Sequence, residues 1–398
     1  MRILTFTSLF PTSVDPTYGI FIYQRSAHLA QRPGNEVVVV SPVPWIPKWL
    51  KLRRWRAASE LPSQEEIGGL TVHHPRYLLL PKISMPFHAL LMFLGSLARV
   101  RSLNRSAKID CIDAHFVYPD GLAALLLGKI FGVPVTVSAR GTDINLYPSF
   151  KLIRPMIRWT LSQADAVISV SGALKESMVK LGVNPGKIRV IPNGVDAQRF
   201  HLMGREEAKR RLNLLPEISL LVSVGALILL KGHLTLIRAF ARIAPRYPAL
   251  QLYILGEGPL RSELDSLVRE LDLQDRVRLP GKRPNDELAQ WFNAAEVSLL
   301  TSSREGWPNV VTESLACGTP VVATRVGGVP EILHSQEFGI VVDQTVDSVA
   351  DAIERALSKK WDRQAISDQT RARTWSIVAG EVEEVLCKKT QPHKEPAR

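Results

Sequence analysis

The stretch Arg304–Thr324, REGWPNVVTESLACGTPVVAT, contains Pro308, Gly318 and a closing apolar run. Proline is favoured at the first position of a helix, where its missing N–H has no partner to lose, and glycine is favoured just past the end. These two residues therefore predict a short helix over residues 308–317. The apolar residues 320–323 that follow predict a buried strand, as expected of an α/β fold.

Two glutamates occupy defined places in this pattern. Glu305 falls in the loop before the predicted helix and Glu313 about a turn and a half inside it. The unpaired N–H groups and the dipole at a helix start favour a phosphate there. Carboxylates on either side of that phosphate can accept hydrogen bonds from hydroxyls. The pattern therefore predicts a binding site for a ligand that has hydroxyls on both sides of a diphosphate, and a nucleotide sugar is such a ligand. The alternative is an ordinary surface loop and helix with two solvated glutamates.

The longer run Ser302–Leu333, SSREGWPNVVTESLACGTPVVATRVGGVPEIL, resembles the signature of retaining glycosyltransferases of the GT-B type, family 4. This resemblance implies an α/β fold of two Rossmann-like, doubly wound domains facing each other across a cleft. It implies that Glu305 holds hydroxyls of the donor sugar and Glu313 holds the ribose. The donor-binding residues that it implies are Gly19, Lys231, Gly256, Glu305, Gly306, Trp307, Pro308, Asn309, Val310 and Glu313.

The order of apolar and helical segments agrees with this fold. β-rich apolar runs alternate with helical patterns up to about residue 192 and then start again, which is typical of two mainly parallel sheets. We expect an acceptor-binding domain over 1–195, a nucleotide-sugar-binding domain over 196–375, and a last helix over about 376–390 that crosses back to the first domain. The turn Ile191–Asp196, IPNGVD, resembles the hinge between the two domains of this family.

Composition limits the class of protein. The chain has 398 residues, 45% of them hydrophobic, and a formal charge of +12. No segment reaches the ~18 uncharged apolar residues that a membrane span needs. Three cysteines, spaced for neither zinc nor a disulfide framework, predict a reducing and hence cytoplasmic compartment. The excess of Lys and Arg favours an anionic partner, which could be nucleic acid, an acidic membrane or a phosphorylated substrate.

Two residues of the first half stand at the ends of predicted strands. Gly19 follows the first strand, where the resemblance implies that a glycine lets the backbone approach the donor diphosphate. His115 ends the predicted strand Ile109–His115, so it is expected to face the ligand. The resemblance implies that His115 contacts the donor sugar and acts with Glu305 as a catalytic residue. Asp120, just before Gly121, is expected to cap the next helix.

Arg140 and Asp143 follow the next strand. Many relatives have His-Gly-x-Asp where this chain has Arg140-Gly141-Thr142-Asp143. An arginine stays protonated at neutral pH, so Arg140 is not expected to transfer a proton. We expect it to contact a phosphate or the acceptor. Asp143 is given the same role, with a structural turn carboxylate as the alternative.

The loop Gly225–Gly232 follows the first strand of the second half and contains Lys231. The family often supplies an Arg and a Lys from this loop to hold the diphosphate, but this chain has no Arg there. A second cation would have to come from elsewhere. Gly256, in Gly256-Glu257-Gly258, lies at a strand-to-helix turn of the nucleotide-site type, and Gly281–Arg283 falls where relatives contact the base.

The segment Trp45–Arg56, WIPKWLKLRRWR, mixes three Trp with five Lys or Arg. Tryptophans beside cations suit the interface of an anionic membrane. We therefore expect either peripheral contact with such a membrane, on the inner face, or packing of these Trp side chains against the first domain.

The activity expected is that of a hexosyltransferase-type enzyme. It would move a sugar from a UDP- or GDP-linked donor, with retention, to a hydroxyl of a glycan or lipid-linked glycan in polysaccharide or glycoconjugate biosynthesis. No Asp-x-Asp occurs in the sequence, so no metal and no other cofactor is expected, and no nucleic-acid partner. The alternatives are a nucleotide-sugar epimerase on the same fold and a non-catalytic relative that binds membrane or nucleic acid.

Overall fold

The computed structural model describes residues 1–45, 61–79 and 85–390. They belong to two compact units. The first consists of Met1–Asn193 together with the segment from Trp375 onward, and the second of Gly194–Thr374.

Parallel strands form the centre of the first unit. Its strands are β1 (Arg2–Phe6), β2 (Glu36–Val40), β3 (Val43–Trp45), β4 (Gln64–Ile67), β5 (Leu70–His73), β6 (Arg76–Leu78), β7 (Cys111–His115), β8 (Val135–Ala139), β9 (Ala166–Ser169) and β10 (Ile188–Val190). Among the described residues, eight of them form one sheet in the order β10-β9-β8-β7-β1-β2-β5-β4. Only β4 is antiparallel to its neighbour, and β3 pairs with β6 separately. The chain order reverses between β1 and β7.

Helices cover both faces of this sheet. They are α1 (Ile20–Ala30), α2 (His88–Ser106), α3 (Leu122–Phe131), α4 (Thr142–Asn145), α5 (Ile153–Gln163) and α6 (Gly172–Lys180). Gly128 of α3 is so close to the sheet that a Cβ there would lie 2.3 Å from Val135 Cγ2. Arg25 of α1 instead reaches Ser138 of the same strand. Because residues 135 and 138 point to opposite faces of β8, α1 and α3 cover opposite faces.

The second unit repeats the pattern with a shorter sheet. Its strands are β11 (Ser219–Val224), β12 (Leu250–Leu255), β13 (Val277–Gly281), β14 (Val297–Leu300), β15 (Val321–Thr324) and β16 (Gly339–Val342). Within the described chain they form a parallel sheet in the order β13-β12-β11-β14-β15-β16. The order reverses between β11 and β14.

The helices of the second unit are α7 (Arg205–Arg211), α8 (His233–Ile243), α9 (Arg261–Glu270), α10 (Asn285–Ala294), α11 (Asn309–Ala316), α12 (Val329–Ile332), α13 (Val346–Ser358) and α14 (Arg363–Arg371). Buried residues of α8, α9 and α13 share one core, and those of α7 and α10 share another. The last helix, α15 (Trp375–Thr390), packs with α1 in the first unit, where both contribute to one hydrophobic core.

The predicted α/β fold class of two doubly wound, Rossmann-like domains is confirmed. The predicted helix 308–317 is present as α11, and Gly318 adopts φ +72 just past its end. Pro308 occupies the cap position with an extended backbone, φ −77 and ψ 98, and not the first helical position as predicted.

The Trp-rich segment predicted to meet a membrane begins at Trp45, the last residue of β3. The rest of it, residues 46–56, lies outside the described residues. Among the residues that are described, no helix has the length and apolar character needed to cross a membrane.

Candidate functional site

An ion pair lies at the reversal of strand order in the second sheet. Lys231 follows β11 and Glu305 follows β14, and these two strands are neighbours. Lys231 Nζ donates a hydrogen bond of 2.7 Å to Glu305 Oε1. Their side chains are only 22% and 12% exposed. In open parallel sheets the crevice at the carboxyl ends of the strands, where the order reverses, is the place that binds ligands.

The loop that carries Glu305 is held from two sides. Ser302 Oγ donates to Glu305 Oε1 at 2.6 Å, and Gly328 N–H donates to Gly306 O at 3.0 Å. Gly327, at φ +50, packs so closely that a Cβ on it would lie 2.2 Å from Glu305 O. The Gly-Gly pair after β15 therefore fixes the backbone of the Glu305 loop. Ser302 had no distinguishing signal in the sequence beyond its place before Glu305.

The loop that carries Lys231 is equally constrained. The Lys231 side chain passes over Gly225, where a Cβ would lie 3.5 Å from its Cδ. Gly232 adopts φ +67, and a Cβ there would lie 2.0 Å from Thr301 O. The hydroxyl of Thr301 donates to Lys231 O at 3.1 Å. These contacts join the loops after β11 and β14 independently of the ion pair.

Gly256 belongs to the same packed group of loops. Its N–H donates to Gly281 O at 3.0 Å. A Cβ on Gly256 would lie 1.9 Å from Gly225 O, and one on Gly258 would lie 2.4 Å from Leu227 O. The two glycines thus allow the turn after β12 to lie directly on the loop that leads to Lys231.

The start of α11 follows the Glu305 loop directly. Across the described residues no side chain caps it, and Val311 N–H donates to Pro308 O at 3.0 Å. Trp307 and Val310 are partly buried and pack against a hydrophobic cluster. The indole N–H of Trp307 is buried and has no hydrogen-bond partner among the described residues.

Glu313 is half-buried in the middle of α11. Burial raises the pKa of its carboxyl to about 7, although Arg199 acts in the opposite direction. Its carboxylate has no hydrogen-bond or ion-pair partner in the part of the chain that the structure describes. An acceptor group in this state gains from a ligand that donates hydrogen bonds to it.

His115 ends β7, at the reversal of strand order in the first sheet. Arg140 Nη2 donates to its Nδ1, so the ring proton is assigned to Nε2, which lies 3.2 Å from Asp113 Oδ2. Asp113 in turn accepts two hydrogen bonds from Arg25, at 2.8 and 2.9 Å. No local sequence pattern indicated this buried Arg25–Asp113 pair.

Burial and, to a smaller extent, the neighbouring charges determine the protonation of His115. Burial lowers the pKa of the imidazole to about 3, and Asp113 offsets this only in part. Although burial favours its neutral form, Arg25 and His115 lower the pKa of Asp113 to about 2. His115 is therefore a neutral imidazole with both nitrogens facing other side chains.

Arg140 and Asp143 are also placed by hydrogen bonds. The Asp143 carboxylate accepts from the backbone N–H groups of Val117, Arg140 and Gly141, which is the structural turn role that the sequence left open. The Arg140 guanidinium donates to Asn193 Oδ1 at 3.1 Å. Burial lowers the pKa of Arg140 to about 9.

Gly19 immediately precedes α1 with φ +65, and a Cβ there would lie 2.3 Å from Leu9 O. Asp120 does not cap a helix as predicted, because α3 has no side-chain cap. Its Oδ1 accepts from Ser8 N–H instead, while Oδ2 is buried and has no partner among the described residues. Burial raises the pKa of Asp120 to about 7.

Sequence comparisons match both halves of the chain. The family described as "Glycosyltransferase Family 4" matches residues 19–199, and "Glycosyl transferases group 1" matches residues 204–373. The chain is 34% identical to a D-inositol 3-phosphate glycosyltransferase of Thermomonospora curvata, over 72% of this chain and 73% of that protein. It is 29% identical, over 89% of both chains, to a Bacillus subtilis protein named as a teichuronic acid biosynthesis glycosyltransferase, TuaC.

Comparison with solved structures gives the same fold. HepE of Anabaena, solved in complex with UDP and glucose, superposes with a TM-score of 0.72 at 18% identity, over 98% of this chain and 100% of that one. The two sheets described above have the strand order of such Rossmann-like domains. The chain therefore belongs to the group 1 glycosyltransferases of family 4, enzymes of the GT-B fold that transfer glycosyl groups.

Proposed function

We propose that this enzyme transfers a sugar, with retention of configuration, from a nucleoside diphosphate sugar to a hydroxyl of a glycan or lipid-linked glycan. The observation that carries the proposal is the Lys231–Glu305 pair at the β11/β14 reversal, directly before the start of α11. It combines a cation, a carboxylate and a helix start within one unit.

The proposed donor contacts follow from the charges of these groups. Lys231 has three N–H donors, so it can keep one on Glu305 and direct others to a diphosphate. The start of α11 supplies backbone N–H groups and a positive dipole end to the same anion. Glu305 would accept hydrogen bonds from sugar hydroxyls, and Glu313, which has no partner among the described residues, would accept them from the ribose.

The names of the relatives support both the proposed class of donor and the proposed class of acceptor. HepE is solved with UDP and glucose, which supports a nucleotide-sugar donor, with a UDP-linked or GDP-linked sugar as the two candidates. The name of TuaC refers to teichuronic acid biosynthesis, which favours an acceptor in polysaccharide or glycoconjugate biosynthesis. Both matching families and the relatives named above are glycosyltransferases, which argues against an epimerase or a non-catalytic binding protein.

The proposed course of the reaction uses no enzymic nucleophile. The leaving diphosphate would assist the acceptor hydroxyl on the same face of the sugar, while Glu305 stabilises the cationic sugar. Lys231 and the amides of α11 would neutralise the charge that develops on the leaving group. We therefore propose that transfer needs no metal. The proposed setting is the cytoplasm, because three cysteines without a disulfide framework suit a reducing compartment.

Ligand-dependent thermal stability tests the donor site. UDP, GDP, ADP and their sugars are each added to the wild type, Lys231→Met and Glu313→Gln, with Lys360→Met and Glu337→Gln as exposed controls. A ligand at a hundredfold excess over its Kd stabilises the wild type by about 2.7 kcal/mol. We expect one nucleotide to raise the melting temperature of the wild type and both controls, and to lose this effect in Lys231→Met and Glu313→Gln. An unchanged shift in those two variants would place the donor elsewhere.

Product analysis tests the reaction itself. With the nucleotide sugar identified in this way, the anomeric configuration of the transferred sugar is read by NMR. Retention in a reaction that proceeds in excess EDTA is the expected result. Inversion, or activity that EDTA abolishes, would contradict the proposed course.

A further inference from the structure

One helical layer of the first unit has an unusual charge composition. α2 packs beside α3, and α3 beside α5, so the three helices cover one face of the sheet. They contain six Arg or Lys, and the sequence has no Asp or Glu in any of them; the six are Arg99, Arg101, Arg105, Lys129, Arg154 and Arg158. In contrast, α15, which packs with α1, carries Glu381, Glu383 and Glu384. The positive charge therefore belongs to this layer and not to every helix of the unit.

These cations are directed to solvent. Arg101, Arg105, Lys129, Arg154 and Arg158 are all exposed. Within the described residues, none of the five forms an ion pair. Structural cations on helices are commonly balanced by acidic neighbours one turn away, and here no such neighbour exists. Like charges on one surface repel each other, so the surface as a whole gains from an anionic partner.

Large apolar side chains are exposed on and beside the same helices. They are Phe87 (61% exposed), Leu90 (48%), Leu94 (55%), Ile130 (50%), Leu152 (67%) and Trp159 (37%). Single exposed apolar residues are ordinary on a protein surface, whereas a group of them on one face marks an interaction site. A soluble polyanion such as nucleic acid would bind the cations but would leave the leucines in water.

A groove at one end of the layer is lined by both cationic and apolar side chains. It has a volume of about 730 Å³, and its lining includes Lys151, Arg154, Arg158 and Trp159 from around α5. The opposite wall is formed by residues 181–183, and no acidic residue lines the groove. Lys129 Nζ lies 4.6 Å from the centre of the Trp159 ring. Cations around an aromatic ring that is partly exposed suit a phosphate headgroup above acyl chains.

We propose that the outer face of α2, α3 and α5 is a docking surface for an anionic phospholipid bilayer. A bilayer presents a plane of negative charge over an apolar interior, and this face presents cations interspersed with Leu, Ile and Trp. The proposal concerns a different surface from the segment after β3. It does not depend on the transfer reaction, because binding to vesicles is measured without any substrate.

Vesicle sedimentation of the full chain tests this surface. Wild-type protein is mixed with phosphatidylcholine vesicles that contain or lack phosphatidylglycerol, at low and high salt. The variant Arg154→Glu/Arg158→Glu reverses two charges of the layer, and Arg238→Glu/Arg269→Glu reverses two exposed charges of the second unit as a matched control. We expect the wild type and the control to sediment with the anionic vesicles. The layer variant should bind at least about tenfold more weakly, because each cation near an anionic surface contributes to binding.

A second variant tests the apolar component. Leu90→Ser/Leu94→Ser keeps every charge, so its binding should fall most at high salt, where the electrostatic part is screened. Circular dichroism melting confirms that each variant is folded. Three results would overturn the proposal: no sedimentation of the wild type with anionic vesicles, equal losses in the layer variant and the control, or binding to duplex DNA without binding to vesicles.

Discussion

Lys231 and Glu305 are separated by 74 residues in the chain, yet the amine of one donates to the carboxylate of the other at 2.7 Å. The strands that precede them are neighbours across the point where the order of the second sheet reverses. Each partner is held by its own backbone contacts, through Thr301 on the lysine side and Gly327 on the glutamate side. The pair is therefore positioned by the fold, and the Lys231 amine is already oriented before a donor diphosphate binds.

Removing the cation should affect catalysis much more than stability. In Lys231→Met we expect kcat/KM to fall by about 10²–10³-fold, because one charge-stabilising donor is lost from the leaving-group site. The free energy of unfolding should fall by about 1–2 kcal/mol, because the Glu305 carboxylate is only 12% exposed and keeps Ser302 Oγ but loses its cation. Steady-state kinetics and urea unfolding measure both, with Lys360→Met as the control. A loss of stability without a loss of kcat/KM would show that Lys231 is only structural.

A Cβ at Gly327 should disturb the site through the Glu305 backbone. Gly327→Ala places a methyl group 2.2 Å from Glu305 O in the present backbone. Gly132→Ala is the matched control, because Gly132 also has a positive φ, +65, but its Cβ would meet nothing within 4 Å. Both should lose about 1–2 kcal/mol from backbone strain. Only Gly327→Ala should also weaken nucleotide binding, as measured by calorimetry, and equal binding in the two variants would rule out the role given to Gly327.

Local sequence patterns predicted those helices and strands whose own residues indicate where they begin and end. The helix at Asn309–Ala316 and its termination at Gly318 follow from a proline and a glycine at its ends. The strands β4 and β6 were not predicted, because QEEI and RYL are too short and too polar to show a period. Strand pairing in these cases is imposed by neighbours and not by the strand's own residues.

Contacts between residues far apart in the sequence explain why the role of Asp120 and the burial of Arg25 were not predicted. Asp120 precedes a glycine and a helix, which locally is the pattern of a cap, but Ser8, 112 residues away, donates to it instead. Arg25 lies on an amphipathic helix and looks like a surface cation, although its guanidinium is buried against Asp113. Such partners depend on which strands become neighbours, and that is decided by the whole sheet.

The buried carboxyl of Asp120 should make the stability of the first unit depend on pH. Burial raises its folded-state pKa to about 7, above the ordinary value, so the folded state binds its proton more tightly than the unfolded state. Stability from this group is thus present below about pH 4 and is lost as the pH rises through 7. The full loss is roughly 4 kcal/mol for a shift of about three pKa units.

Asp120→Asn keeps an oxygen for Ser8 N–H and removes the titration. We expect its urea midpoint to exceed that of the wild type at pH 8 and to approach it at pH 4. Asp351→Asn, at an exposed position, should follow the wild type throughout. Parallel pH profiles for Asp120→Asn and the wild type would mean that this carboxyl is ionised in the folded protein at little cost.

The carboxyl of Glu313 should govern the acidic limb of the pH–rate profile. Its pKa is about 7 in the free enzyme, and only the ionised form offers both oxygens as acceptors to ribose hydroxyls. Because kcat/KM reports the free enzyme, it should rise with pH through about 7. His115 should not contribute to this limb, since its pKa is about 3. In Glu313→Gln, kcat/KM should be lower and the limb near pH 7 should disappear, whereas Glu337→Gln should retain it. A limb that persists in Glu313→Gln would assign the titration to another group.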